Sequence, residues 1–310
     1  MKKQLIFLFS CFTLFSHAQQ DLLSLVNAAD TSKTRQKTFA TFKTTKVISA
    51  QSTETVKKYC MDFRVTHRFG SIGSESGGGF HDLYGWDNIS DTRISFDFGI
   101  TDKITIGVGR SKIDENIDGM FKWRFLEQTT DDHMPVSVAW YEDAVITPML
   151  QSSLYAGTID SVYKFADRMS YVSQLIIARK FNRSFSFELL PTWQHRNFVK
   201  ALVNTDNNAQ DQNDVLALGA GFRIKVSKRL AIIADYFHAF SAYRTNNPAT
   251  PYYDPLAVGI EIETGGHVFH LNFTNASGII ENSFLSNTTD SWLKGGFKFG
   301  FNISRVFVLD

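Results

Sequence analysis

"FKFGFNISRVFVLD", residues 297–310, ends the chain with Phe297, Phe299, Phe301 and Ile303 at alternate positions and Lys298, Gly300, Asn302 and Ser304 between them. Alternate residues of an extended strand point to opposite faces. One face here is therefore nearly pure aromatic hydrocarbon, and the other is small or polar. Such a strand packs either on a protein core or on lipid, and the choice sets the class of the protein.

The same period of two recurs along the chain. Ile94, Phe96, Phe98 and Ile100 alternate with Arg93, Ser95, Asp97 and Gly99, and Phe121, Trp123 and Phe125 alternate with Lys122 and Arg124. Extending the pattern predicts twelve strands, at 59–69, 91–100, 103–110, 119–126, 135–143, 167–180, 183–194, 213–226, 229–240, 255–264, 267–275 and 293–308. Tight turns such as "ITDK", "KFNR", "SKR" and "TGGH" join the strands on one side, and long connections such as 70–90, 144–166 and 276–292 join most of them on the other. Short turns on one rim and long loops on the other characterise outer-membrane barrels. Of the six prolines only Pro191 falls inside a predicted strand, where it costs a ladder hydrogen bond.

A soluble β-sandwich is the competing reading, because its strands alternate too. Sandwich strands usually run about five or six residues, whereas several here have the length that a tilted strand needs to cross a bilayer. The polar face also carries charges of both signs: Arg64, Arg68, Arg93, Asp97, Lys122, Arg124, Glu188, Lys225, Glu261, Glu263 and Lys298. In a closed barrel these point into the lumen, with Lys298 and Asn302 of the final strand among them. Trp86, Tyr141, Trp193, Tyr236, Tyr253 and Trp292 near strand ends suit interfacial girdles.

The first residues have the layout of a secretory signal peptide. Lys2 and Lys3 precede the apolar stretch Leu5–Phe15, and Ser16-His17-Ala18 forms a small-residue cleavage site. A looser lipoprotein-like box, Leu8-Phe9-Ser10-Cys11, is the alternative. Residues 1–18 are thus expected to be a signal, 19–57 a periplasmic leader with a short strand near Thr45–Ser49, and 58–310 the barrel. Whether the leader plugs the barrel stays open at this level. Removal of the signal leaves Cys60 as the single cysteine, so no internal disulfide forms. A net charge of +1 gives no reason to expect a nucleic-acid partner.

Catalytic and metal motifs are weak. His267 and His270 have H-x-x-H spacing, but an offset of three on a strand puts them on opposite faces. A lipid-modifying site combining His270 and Asn272 with Ser173 or Ser186 is unconstrained without register. No catalytic, cofactor-binding or metal residues are assigned, and no cofactor is expected. In the first long loop Phe80, Tyr84 and Trp86 are candidates for partner contact.

The segments "DFRVTHRFG" (62–70), "GWDNISDTRISFDFGITDKITIGVGRSK" (85–112), "DGMFKWRFLEQ" (118–128), "MPVSV" (134–138), "VGIEIETGGHVFHLNFTNASGIIEN" (258–282) and "GFNISRVF" (300–307) resemble an uncharacterised barrel family of Gram-negative Bacteroidota, domain-of-unknown-function family 5777. That resemblance implies an outer-membrane barrel and brings no activity or site residues. The expectation is an all-β, antiparallel, up-and-down transmembrane barrel of about twelve strands, with short periplasmic turns and long extracellular loops, exported to the outer membrane and surrounded by its lipid. Its expected function is a narrow porin-like channel for small polar solutes. A non-conducting barrel that binds an unknown protein partner through its loops, or a lipid-modifying enzyme, are the alternatives.

Overall fold

Twelve antiparallel strands close on themselves in the computed structural model, which describes residues 35–155 and 164–309. They are β1 (Cys60–Ser71), β2 (Ile89–Thr101), β3 (Ile104–Ser111), β4 (Ile117–Leu126), β5 (Ser137–Ile146), β6 (Met169–Lys180), β7 (Phe185–Arg196), β8 (Asp214–Lys225), β9 (Leu230–Phe240), β10 (Leu256–Glu263), β11 (Val268–Thr274) and β12 (Lys298–Val308). The signal-peptide expectation (1–18) and the first part of the leader lie outside the described residues. Thr38–Asp310 forms one unit, and Met1–Lys37 another, of which residues 35–37 alone are described. Among the described residues no helix is long and apolar enough to cross a membrane.

Each strand pairs with its sequence neighbours, and β1 pairs with β12 from Cys60↔Val308 to Arg68↔Gly300. Closure leaves no strand edge unpaired, as an apolar surround requires. All twelve expected strands are present. The last starts later than its pattern suggested, because Trp292–Lys294 forms a 3-10 turn that ends on Gly295 at φ 72°.

The alternation places apolar rows outside. Ile94, Phe96, Ile106, Val108, Phe121 and Trp123 are all exposed on the outer wall of β2–β4. At the closing seam Phe299 of β12 stacks on Trp86 at 5.3 Å and on Phe69 of β1 at 5.7 Å between ring centroids. The phenylalanines of the C-terminal stretch are therefore an outer covering, while Lys298, Gly300, Asn302 and Ser304 are buried inside. Tyr141 departs from its expected place in a girdle: it faces inward on β5 and is buried, with the Lys122 ammonium 5.8 Å from its ring centre.

Inside, the wall has two halves. The β12–β4 half carries Arg64, Arg68, Arg93, Asp97, Lys122 and Lys298. The β5–β10 half is mixed, with Val172, Ile176, Leu190, Ala217, Ile233 and Phe237 buried beside Glu188, Gln194, Asp235 and Glu261. Apolar residues thus share the inner face with the charges expected there, because β6 and β9 are rich in apolar residues on both faces.

Phe237 lies against Gly219 of β8, its cross-strand partner, and a Cβ built on that glycine would stand 2.3 Å from the ring. Gly219→Val should therefore push Phe237 into its neighbours and destabilise the barrel by about 1–3 kcal/mol. The midpoint of urea unfolding in lipid measures this, and an unchanged midpoint would contradict it.

Candidate functional site

The site is the filled interior. Described residues of the expected periplasmic leader enter the barrel, so residues 41–56 are a lumen segment rather than a free leader. Phe42, Val47, Ile48, Ala50 and Val56 are buried there, in place of the short strand expected near Thr45–Ser49. Burial of each large apolar side chain stabilises by roughly 1.5–3 kcal/mol, which explains why the segment prefers the lumen to water.

The segment is a hairpin with both legs at the rim of short turns. On entry, Thr38 N–H donates to Gln128 O at 2.8 Å, and Lys180 Nζ donates to Phe39 O (2.8 Å) and Ala40 O (3.0 Å). On exit, Val56 N–H donates to Thr105 Oγ1 (2.9 Å) and Lys58 N–H to Asp102 Oδ1 (3.1 Å). The tip is a tight turn in which Val47 N–H donates to Ala50 O at 2.8 Å and Ser52 N–H to Thr45 O at 3.0 Å.

At the tip three consecutive amides converge on one carboxylate oxygen. Ile48, Ser49 and Ala50 N–H donate to Asp235 Oδ2 at 3.0, 2.8 and 3.0 Å. Successive amides aimed at one point form an anion nest, here filled by the wall's own carboxylate. The charged half of the wall grips the same hairpin. Arg64 Nη2 donates to Thr45 Oγ1 (2.8 Å), Lys122 Nζ to Thr45 O (2.8 Å) and Ser52 O (3.0 Å), and Asn302 Nδ2 to Ile48 O (3.1 Å).

The long connection between β11 and β12 fills the lumen from the opposite rim. Its helix, Glu281–Asn287, buries Phe284 and Leu285, and Phe284 lies 5.1 Å from Phe237 between ring centroids. Gln194 of β7 donates to Asn282 O (2.7 Å) and accepts from Ser286 Oγ (2.8 Å). The two fillings meet at mid-barrel. Gln51 Nε2 donates to Glu281 Oε1 at 3.1 Å, and Arg68 donates to Ser49 Oγ (2.7 Å) on one side and to Ala276 O (3.1 Å) and Gly278 O on the other. Burial pushes the Lys46 ammonium below its usual range, opposed by the Glu281 carboxylate. Burial likewise raises Glu54, opposed by Arg124.

The remaining sequence-derived lumen candidates divide by depth. Arg93 is paired with Asp118, and Gly109 opposite leaves no Cβ where the guanidinium lies. Asp97 is buried beside Gly107, and Glu188 is fully buried against Gly221 with no hydrogen-bond partner among the described residues. Glu261 and Glu263 both accept from Arg223, at 2.7 and 2.9 Å. Arg124, Lys225 and Glu263 are half-buried near the short-turn rim, where Arg124 lies 3.4 Å from Glu54 and Glu263 2.8 Å from Lys43. Lys298 bonds Asp290 at 2.5 Å near the long-loop rim. In the first loop Phe80 (83% exposed) and Tyr84 pair at 6.5 Å, whereas Trp86 turns onto the outer wall.

Among the residues of the site that sequence reading missed are Asp235 and Arg223. Asp235 had a signal, since it is the one acid within the apolar run "LAIIADYFHAF". The pieces once considered for a lipid-modifying site lie apart: His270 is buried in the lumen 3.3 Å from Glu261, while Ser173 is on the outer wall. Ser186 is buried inside β7. Among the described residues no group of three or more His, Cys, Asp or Glu side chains is placed to hold a metal ion.

Solved structures similar to this chain include the NanC porin (9% identity, TM-score 0.46, covering 80% of this chain and 98% of that one). Others are the KdgM porin (7%, 0.43, 81% and 99%) and the Acinetobacter baumannii outer membrane protein Omp33 (9%, 0.38, 83% and 100%). No curated protein matches the chain in sequence. A family model described as a membrane-bound β-barrel domain, DUF5777, matches residues 42–307, which takes in the lumen hairpin from Phe42 onward, and the chain belongs to that family.

Proposed function

We propose that the protein is an outer-membrane barrel closed at rest by its own chain, which passes small polar solutes only when the hairpin 41–56 and the β11–β12 connection are both withdrawn. The observation that carries this reading is the use of the wall charges. Arg64, Arg68, Lys122 and Asp235 are all bonded to the hairpin, so the groups suited to line a polar path instead hold its stopper. The protein is on this reading a regulated barrier and not an enzyme, with the short turns in the periplasm and the long loops outside.

The test is conductance in planar bilayers. The full chain should be silent, and a chain lacking residues 41–55, with 277–289 replaced by a short Gly-Ser linker, should give discrete steps. Silence from the shortened chain, once inserted and folded, would count against a path. Steps of equal size from the full chain would count against the seal. A second reading, a non-conducting barrel that binds a partner, is favoured by the exposure of Phe80 and Leu293 (83% and 99%) on the long-loop rim. It predicts silence from both chains.

A further inference from the structure

The outer wall has a deep irregularity on its β4–β9 side. Cross-strand pairing lines up Phe121, Glu142, Ser173, Trp193, Leu216 and Phe240 as one outward row from β4 to β9. The adjoining row runs Trp123, Trp140, Leu175 and then, beyond a break, Pro191 and Leu218. That break is in the β6–β7 ladder, where pairing stops at Gln174↔Thr192 and resumes at Ile177↔Leu189. Pro191 lies in the gap and has no N–H to contribute. Around it the wall is hollowed into a groove of about 930 Å³, lined by residues of both rows, including Trp123, Trp140, Ser173, Trp193 and Phe240. That volume is within the range of small-molecule sites.

The groove is apolar but for one edge, where Ser173 of its lining meets Glu142 just outside it, in a place where polarity is costly. Ser173 Oγ accepts from Trp140 Nε1 at 3.2 Å and spends its own proton on Glu142 Oε1 at 2.6 Å. Among the described residues Glu142 has no second hydrogen-bond partner. Asp143, the next residue, is buried in the lumen, so Glu142 points outward by the pleat. An ionisable group facing hydrocarbon is expensive and, where it persists, marks a functional position. Its second oxygen has room for a further hydrogen bond, and a donor that arrives from the membrane would supply it.

We propose that the groove binds one acyl chain of a membrane lipid and selects a chain bearing a hydroxyl, which donates to Glu142. The indole and phenyl rings flank the chain's methylenes, and the space opened at Pro191 admits it below the level of the neighbouring rows. The inference rests on the membrane placement of the barrel and not on the state of the lumen.

Three of the five tryptophans line the groove, so their fluorescence reports its occupant. The full chain is reconstituted in phosphatidylcholine with brominated chains, which quench indole emission on contact. Unbrominated phosphatidylcholine carrying either 3-hydroxytetradecanoyl or tetradecanoyl chains is then titrated in. The hydroxylated lipid should relieve quenching at about tenfold lower mole fraction, the factor expected of a hydrogen bond to a charged acceptor. In Glu142→Leu/Ser173→Ala the two lipids should become equal. Glu142→Gln, which keeps the packing and one acceptor oxygen, should retain part of the preference. Equal potency on the unaltered chain, or a preference that survives in the double variant, overturns the proposal. So does a cross-linkable dimer that shields the tryptophans from every brominated lipid, which would make a second copy the occupant.

Discussion

Asp235→Ala releases the hairpin tip while the barrel stays closed. The substitution removes the one oxygen that takes the amides of Ile48, Ser49 and Ala50, and leaves three buried donors without a partner. A donor orphaned in this way costs about 1–3 kcal/mol, so with three of them the tip loses about 3 kcal/mol or more of its seating. The twelve-strand ladder is untouched, because Asp235 bonds the hairpin through its side chain. Hydrogen exchange by mass spectrometry should show residues 46–52 losing protection by a factor of about a hundred or more, with the strands unchanged. Asp235→Asn keeps an acceptor oxygen and should lie between the two. Unaltered protection at the tip of the alanine variant would show that apolar burial alone holds the hairpin.

Arg68→Met loosens both fillings at once. This guanidinium is nearly inaccessible and donates both to the hairpin, at Ser49 Oγ, and to the loop, at Ala276 O and Gly278 O. Methionine approximates the volume but offers no donor, so two carbonyls and a hydroxyl are stranded. A hydrogen bond to a charged group contributes about 1.5–3 kcal/mol, and the loss should exceed about 3 kcal/mol even with incomplete additivity. The expected signature is exchange rising together in residues 46–51 and 276–283. Lys122→Met, whose ammonium touches the hairpin alone, should affect the first set only. Arg68→Lys should restore charge but not the forked reach, and so rescue partially. A rise confined to one of the two segments in Arg68→Met would disprove this shared role.

The fold was legible in the sequence because lipid on one side of a closed wall imposes a strict period of two. Phe301 and Asn302 could be assigned to opposite faces without coordinates, and so could Lys122 and Trp123. The partners were not legible. Lys122 binds the carbonyls of Thr45 and Ser52, and a bond to a backbone carbonyl leaves no trace in side-chain identity. Arg223 was passed over because the strand "DVLALGAGFRIK" carries small residues on its inner face, and its pairing with Glu261 and Glu263 depends on a register across three strands. Glu142 was missed for a different reason. Adjacent acids in a strand must diverge, so "ED" at 142–143 already required one carboxylate to meet the membrane.

Neither filling passes through the ring. The hairpin returns to the rim by which it entered, with Thr38 bonded to the β4–β5 connection and Lys58 to the β2–β3 turn, and the β11–β12 connection likewise begins and ends at the far rim. Among the described residues, chain and cylinder are therefore unlinked in the topological sense. Either mouth can be cleared by pulling, without parting a single rung of the sheet, and a force applied to the N-terminal leg would draw against buried side chains and a few hydrogen bonds at the rim.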